Sequence, residues 1–254
     1  MSSRTEPSPG TQPSEPRTSA AGSRSEEAST GPAPASLRTR PVGEVVAEDY
    51  RRGAVFKQFG IDFCCGGGRT VEDACARKGV VVEELEAALT TADLPRGSDR
   101  LPDPRGWEPG FLADYIVNVH HRYCRDSLPV LLAFAEKVAR VHGNHTPELT
   151  EVDVKVRELA GEMEAHMRSE EEEVFPAIRA GEGGSAALGQ MEAEHEHAGG
   201  LMAEIRALTS EFTPPPEACA TWRAMYAKLE EFEGDLHRHV HLENNVLFPA
   251  VRLA

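Results

Sequence analysis

Apolar positions recur at helical spacing along most of the chain, and breaks rich in glycine and proline separate the helical segments. Four long segments are predicted in the C-terminal part, over about 109–141, 147–180, 186–211 and 215–246. Their breaks carry a His-Gly-Asn sequence, a Gly-Glu-Gly-Gly sequence and three prolines, which are stop and start signals for helices. Because short connections make long helices antiparallel neighbours, we expect an all-α fold, an up-down-up-down four-helix bundle.

A smaller helical unit is predicted over residues 39–94. Val45, Val46, Val55 and Phe56 are spaced as the inner faces of two short helices. A third helix starts at Thr70, whose side chain can cap it, and a fourth covers about 82–89. A unit of this size is marginal alone. We therefore expect it to dock on the larger domain or on a partner chain, which leaves a homodimer open.

Two segments lack the apolar pattern. Residues 1–38 are mainly small, polar and proline residues, and the first 36 contain no Val, Ile, Leu, Phe, Trp or Tyr. Such a segment cannot bury enough apolar surface to offset chain entropy, so a disordered tail without a secretory signal is predicted. Residues 95–108 are rich in Pro, Gly and charge and are predicted to be a linker, which makes residues 109–254 the bundle domain.

The composition narrows the function classes. The chain has 254 residues and a net charge of -15 at pH 7, which argues against a nucleic acid as partner. No apolar run approaches the roughly 20 residues needed to span a bilayer. The five cysteines show no disulfide spacing, which fits a reducing compartment. We expect a cytoplasmic protein that binds neither nucleic acid nor membrane.

One motif occurs twice in the predicted bundle, at residues 166–178 and 239–251. Both copies read His, three residues, Glu, four residues, Phe-Pro-Ala and a branched apolar residue. Since positions i and i+4 share one helix face, His166 and Glu170 point to one place, and so do His239 and Glu243. Imidazole and carboxylate together suit Fe, Mn or Zn, and the absence of a nearby thiolate argues against a structural zinc or an iron-sulfur site.

Two more histidines complete this donor set. Measured from the predicted turns, His121 lies level with His166, and His195 lies within about 6 Å of the level of His239. The offset of 74 residues between His121 and His195 nearly equals the offset of 73 between the motifs. Six inward donors would be costly to bury without a metal. We predict two metal ions, bridged by the two glutamates, with these ligands: His121, His166, Glu170, His195, His239 and Glu243. His120, His197, His237 and His241 are expected to face away, and His142 and His145 flank a predicted turn.

Two adjacent cysteines stand in the glycine-rich segment 60–68, shortly before a predicted helix. A helix N-terminus favours the thiolate, so Cys64 and Cys65 are candidates for a redox group, an iron ligand or an attacker of nitrosylated thiols. The alternative is that they are two small buried residues in a tight turn. Cys75, Cys124 and Cys219 are expected to be packing residues.

These motifs in this order resemble the iron-sulfur cluster repair di-iron proteins. DFCCGGGRT is followed by four helices bearing H…HxxxE…H…HxxxE and ends in HLENNVLFP, so the resemblance covers about residues 41–252. It implies a cysteine-pair domain, a hemerythrin-like bundle and two non-haem iron ions that are oxo-bridged and bridged by Glu170 and Glu243. It also implies repair of clusters damaged by nitric oxide or oxidants, through iron delivery or nitric oxide handling. Damaged iron-sulfur proteins would be the partners, nitric oxide or oxygen the small ligand, and Cys64 and Cys65 the relay.

Two alternative functions remain open, and with them the question of whether the protein is an enzyme. A hemerythrin-like carrier or sensor of oxygen or nitric oxide would need no cysteine domain. A nitric oxide or nitrite reductase would need an external electron donor, because the sequence has no flavin or nicotinamide motif.

Overall fold

The computed structural model describes residues 36–92, 103–182 and 184–252. All named secondary-structure elements in these ranges are helical, which confirms the all-α prediction. The predicted disordered tail lies outside the described residues up to position 35, and so does the predicted linker from 95 to 102. Within the described part of the chain, no helix combines the length and apolar character needed to cross a membrane.

The described residues of the small unit form four short α-helices. The third begins where the sequence predicts, because Thr70 Oγ1 accepts a hydrogen bond from the backbone N of Asp73 at 3.2 Å. It ends at Gly79, whose φ of +66° lies in the left-handed region that favours glycine. The four helices are α1 (Val42–Glu48), α2 (Arg51–Gln58), α3 (Val71–Lys78) and α4 (Val82–Ala92).

Four long helical rods form the bundle, and three of them are interrupted by a widened turn. The helix Arg122–His142 packs against both Glu148–Ser169 and Ala220–Leu242, and Glu148–Ser169 packs against Ser185–Leu208. Apolar side chains such as Leu131, Leu159 and Phe232 fill the space between them and are fully buried. The segments are α5 (Pro109–Ile116), α6 (Arg122–His142), α7 (Glu148–Ser169), α8 (Phe175–Arg179), α9 (Ser185–Leu208), α10 (Ala220–Leu242) and α11 (Phe248–Arg252).

The widened turns are π turns, and each contains a predicted metal ligand. They span Val117–His121, Glu170–Val174 and Glu243–Leu247. A π turn inserts one extra residue, so it changes which side chains point into the bundle, and such turns are frequent at functional sites. The last rod continues through its π turn to Arg252, beyond the predicted end at residue 246.

The prediction for three cysteines was correct for Cys75 and Cys124, which are buried, and wrong for Cys219, which is exposed. Cys219 is the N-cap residue of α10. Its side chain therefore lies where the chain enters the helix, at the end of the bundle instead of on an inner face. The Cys219 Sγ lies 3.3 Å from Nε2 of His142 in the neighbouring turn.

The small unit docks on the bundle of its own chain. Asn245, in the last π turn, donates from Nδ2 to the carbonyl oxygens of Phe63 at 3.2 Å and Cys64 at 3.0 Å. A Cβ at either Gly43 or Gly67 would overlap Oδ1 of this asparagine, so both positions require the absence of a side chain. The glycines thus form the seat into which Asn245 fits.

A buried ion cluster reinforces this contact. Glu233 on α10 is 3% exposed and accepts hydrogen bonds from Lys57 Nζ of the small unit at 2.6 Å and from Arg206 Nε of α9 at 2.6 Å. Burial alone would raise the pKa of Glu233, but the bonds from Arg206 and Lys57 outweigh it and lower the pKa. The carboxylate therefore stays charged, and removing either partner would leave part of its charge uncompensated.

Gly67→Ala is expected to lower the free energy of unfolding by about 1–3 kcal/mol, because the new methyl group overlaps Asn245 and lies 2.6 Å from the carbonyl oxygen of Phe63. Urea denaturation of the full chain measures this loss. Gly68→Ala is the matched control, since its Cβ would meet no atom within 4 Å. The control should change stability by less than about 0.5 kcal/mol. Equal losses in the two variants would contradict the seat described for Asn245.

Candidate metal centre

The two copies of the motif place a histidine and a glutamate in contact within one rod. His166 Nε2 lies 3.2 Å from Glu170 Oε2, and His239 Nε2 lies 2.9 Å from Glu243 Oε1. In each pair the histidine is in the α-helix and the glutamate is the first residue of the following π turn. The spacing of four residues therefore brings both donors to one height on the inner face, as helix geometry predicts.

The other two rods bring the remaining histidines to the same carboxylates. His121 Nε2 lies 3.2 Å from Glu170 Oε2, and His195 Nε2 lies 3.1 Å from Glu243 Oε2. The Nε2 atoms of His195 and His166 are 3.0 Å apart. All six side chains are at most 5% exposed, so the predicted residues meet at one level of the bundle core.

The six residues form two donor groups that share both glutamates. One group contains His121 and His239, the other contains His166 and His195, and Glu170 and Glu243 belong to both. Within each group the donor atoms all lie within 4.8 Å of one another. This arrangement offers each of two cations two imidazoles and two shared carboxylates.

The burial and the ionisation of the two carboxylates fit a site for a pair of cations. Glu170 and Glu243 are fully buried, and Glu170 Oε1 and Glu243 Oε2 accept no hydrogen bond from the described residues. Burial raises the pKa of each, but the histidines outweigh it, so the pKa of Glu170 is lowered and that of Glu243 lies well below its usual range. Two ionised carboxylates in an apolar core are what divalent cations of the Fe, Mn and Zn type require.

Three polar side chains accept hydrogen bonds from Nδ1 of three histidines, the ring nitrogen that is not next to Glu170 or Glu243. Nδ1 of His121 donates to Glu171 Oε1 at 2.7 Å, and Nδ1 of His195 donates to Asn244 Oδ1 at 2.8 Å. Nδ1 of His166 donates to Glu194 Oε2 at 2.8 Å. A histidine whose Nδ1–H is held in this way presents the lone pair of Nε2, which is the tautomer a metal ligand needs.

The sequence analysis missed these supporting residues, although a signal was present. Each is the chain neighbour of a predicted ligand, because Glu171 follows Glu170, Asn244 follows Glu243 and Glu194 precedes His195. Glu171 and Asn244 are also equivalent in the two motif copies, and they hold the equivalent histidines of the other rods. The duplication therefore includes two of the three supporting residues.

The phenylalanine of each motif packs on a histidine of another rod. The ring of Phe175 stacks on His121 with centroids 5.7 Å apart, and the ring of Phe248 stacks on His195 with centroids 6.0 Å apart. Both phenylalanines are fully buried. They fix the orientation of the imidazoles and keep water from that side of the centre.

The prediction that His120 faces away was wrong. Both His120 and His121 are buried, at 1% and 0% exposure. The π turn that contains them widens the helix, so two consecutive side chains fit inside the bundle. His120 Nδ1 lies 3.0 Å from Asp235 Oδ1, and its ring stacks on His239 with centroids 5.7 Å apart.

Two other histidines face away from the donor groups, as expected, and pack against the small unit. His241 is buried and lies 5.8 Å from the ring of Phe63, measured between centroids, and His237 lies 5.9 Å from the same ring. His197 is exposed, as expected.

The cysteine pair lies beside the donor groups and is separate from them. Cys65 Sγ is 3.5 Å from the backbone oxygen of His195, and Asn244 Nδ2 donates to the backbone oxygen of Cys64 at 3.4 Å. Asn244 thus connects a histidine of the centre to the cysteine loop. The bond to Cys65 and burial raise the pKa of Cys64 well above its usual value, against the expectation that a helix N-terminus favours the thiolate. The next helix begins only at Val71.

Comparison with known proteins agrees with both parts of the fold. Residues 112–251 match the Hemerythrin HHE cation binding domain, and residues 38–93 match a family described as Domain of Unknown function (DUF542). The Iron-sulfur cluster repair protein YtfE of Citrobacter koseri is 40% identical over 220 residues, which cover 84% of this chain and 97% of that protein. The chain belongs to the iron-sulfur cluster repair family.

Other relatives in this family are about as similar. The protein of the same name from Edwardsiella ictaluri is 41% identical over 216 residues, covering 84% of this chain and 97% of the relative. That from Musicola paradisiaca is 38% identical over 217 residues, covering 84% and 96%. The hemerythrin domain implies that this member of the repair family binds iron, and its two His/Glu groups can hold metal ions.

Glu194→Ala is expected to weaken iron binding by roughly 10–100-fold, because His166 loses the acceptor that fixes its tautomer and orientation. Competition with a chelator of known affinity measures the change. Glu196→Ala is the matched control, since Glu196 lies two residues further along the same helix and is exposed. Unchanged iron affinity in the Glu194 variant would contradict the supporting role.

Proposed function

We propose that this protein repairs iron-sulfur clusters damaged by nitric oxide or oxidative stress, in the cytoplasm, with a di-iron centre at the two donor groups. The ligands are the six residues named above, with Glu170 and Glu243 as bridges between oxo-bridged iron ions. The observation that carries the proposal is the sharing of these two buried carboxylates by two pairs of histidines. Relatives that align with this chain over nearly their whole length are named iron-sulfur cluster repair proteins. Their names support a repair function for this chain.

The residues around the centre would adapt it to this role. Bound iron supplies redox chemistry and affinity for nitric oxide. The two carboxylates neutralise the positive charge, and Glu171, Glu194 and Asn244 keep the imidazoles in the ligand tautomer. A shell with four histidines and only two carboxylates compensates the charge of iron less completely than a carboxylate-rich shell. One ion can therefore leave as cargo for a damaged cluster.

The position of the cysteine loop favours repair over reversible ligand carriage. A carrier or sensor needs no thiols, whereas here Cys65 Sγ lies 3.5 Å from the backbone of His195 and Asn244 bridges to Cys64. We assign Cys64 and Cys65 to receive or relay the iron or the nitrosyl group. Damaged iron-sulfur proteins are the partners in this proposal. Turnover of nitric oxide or nitrite with an external electron donor is the second candidate activity.

Glu243→Leu should reduce iron content from two ions per chain to at most one and bleach the near-ultraviolet absorption of the oxo bridge. Both groups lose a ligand at once because the carboxylate belongs to both. Elemental analysis and absorption of the purified protein measure this. Glu172→Leu is the control, since Glu172 is exposed in the acidic run next to the centre. Full iron content in the Glu243 variant would show that this glutamate does not bridge.

The repair role itself is tested with an iron-sulfur enzyme inactivated by nitric oxide. The iron-loaded protein should restore its activity, and Glu243→Leu should not. The double variant Cys64→Ala/Cys65→Ala should keep its iron and lose most of the restoration. Full restoration by the double variant would eliminate the thiol relay while leaving repair by the metal centre in place. No restoration by the iron-loaded protein would contradict repair.

A further inference from the structure

A second group of metal-binding side chains lies in the cysteine loop, outside the six ligands of the bundle. Asp62, Cys64 and Cys65 place one carboxylate oxygen and two sulfurs within 4.8 Å of one another. Both thiols are free, and the two sulfurs are 3.9 Å apart. We propose that these three residues form a separate binding site for one thiophilic divalent cation. The inference rests on the proposed function, since it gives iron released from the bundle a second set of ligands.

The distances match a tetrahedral dithiolate site. With a metal–sulfur bond of roughly 2.3 Å, tetrahedral geometry sets two sulfurs about 3.8 Å apart. The observed separation of 3.9 Å therefore needs almost no movement. Cys64 Sγ lies 3.2 Å from Asp62 Oδ1, so the carboxylate stands beside the two sulfurs.

The loop holds the carboxylate in place and leaves it able to bind. Asp62 Oδ1 accepts hydrogen bonds from the backbone N of Cys64 at 2.9 Å and of Cys65 at 3.0 Å. Among the described residues, Asp62 Oδ2 accepts one bond, from the backbone N of Gly66 at 3.0 Å. A carboxylate oxygen has two lone pairs, so Oδ2 keeps one for a cation. The same contacts fix the direction of both cysteines relative to Asp62.

The donor set and its exposure define the kind of metal and the kind of site. Two thiolates select Fe²⁺, Zn²⁺ or Co²⁺ over Mg²⁺ and Ca²⁺. Cys64 is buried, but Cys65 is half-buried and Asp62 is exposed, so a cation would have protein on one side and an open position on the other. A structural site encloses its metal with four protein ligands, whereas three ligands and an open position suit a metal in transit.

Binding requires that both thiols lose their protons. One divalent cation displaces two protons to solvent and forms two metal–sulfur bonds, while the carboxylate and the metal keep their charges, which leaves the site with a net charge of about -1. Because the cation and the protons compete for the two sulfurs, the affinity should fall as the pH falls. No oxidant or reductant takes part.

The test is a titration of the full-length, iron-loaded and reduced protein with Co²⁺ under anaerobic conditions. Thiolate-to-cobalt charge transfer in the near-ultraviolet should grow until one equivalent is bound. Cys64→Ser/Cys65→Ser should abolish this band, and Cys65→Ser alone should weaken it, while Cys219→Ser, which alters an exposed cysteine outside the loop, should leave it unchanged. Asp62→Asn should keep the band and weaken binding by at least about tenfold.

The following results would contradict the proposed site or one of its ligands. No charge-transfer band in the unaltered protein, or a band that survives in the double serine variant, would overturn the site. Unchanged affinity in Asp62→Asn would overturn the role of the carboxylate. Iron content of the bundle is measured on every sample. If cobalt does not bind while iron content and cluster repair are intact, this inference fails and the proposed function stands. If the protein binds cobalt at this site but does not repair clusters, the proposed function fails and the metal site in the cysteine loop stands.

Discussion

The structure depends on two carboxylates buried among four imidazoles in the middle of the bundle. Glu170 and Glu243 are fully buried, and in the described part of the chain each contacts two of the four histidines around it. An unpaired buried polar group costs roughly 1–3 kcal/mol, and a charged group costs more. A bundle of this kind would be more stable with apolar residues at these six positions. The six polar side chains therefore destabilise the folded chain, so selection for stability does not explain them. Metal binding would offset this loss.

The two copies of the motif place equivalent side chains around this core. In each half the glutamate begins a π turn, and the phenylalanine five residues after that glutamate stacks on a histidine of another rod. The residue after the glutamate holds that histidine by its Nδ1. Where the halves differ, Asn244 takes the place of Glu171. Glu171 also pairs with Arg125 of the bundle, whereas Asn244 reaches the cysteine loop. The substitution of an amide for a carboxylate thus turns one copy of a supporting residue into a link between the centre and the small unit.

The sequence was sufficient for the fold class and for the six residues that meet in the core, because helix periodicity and the repeat offset are properties of the chain alone. It was not sufficient for features that depend on which rods are neighbours. Glu194 and Asn244 could be named as supporting residues only once the facing histidines were known. His120 was misjudged because a π turn leaves no mark in the hydrophobic pattern. The seat for Asn245 depends on Gly43 and Gly67, which are distant in the chain and close in space.

The central claim is that two irons share Glu170 and Glu243 in the bundle. X-ray absorption at the iron edge of the purified protein tests it most directly, because the spectrum reports both the iron–iron distance and the kind of ligand atom. The account predicts an iron–iron path of at most about 4 Å and a first shell of nitrogen and oxygen only. A spectrum without an iron–iron path and with sulfur in the first shell would contradict it, because the iron would then be bound singly at cysteine.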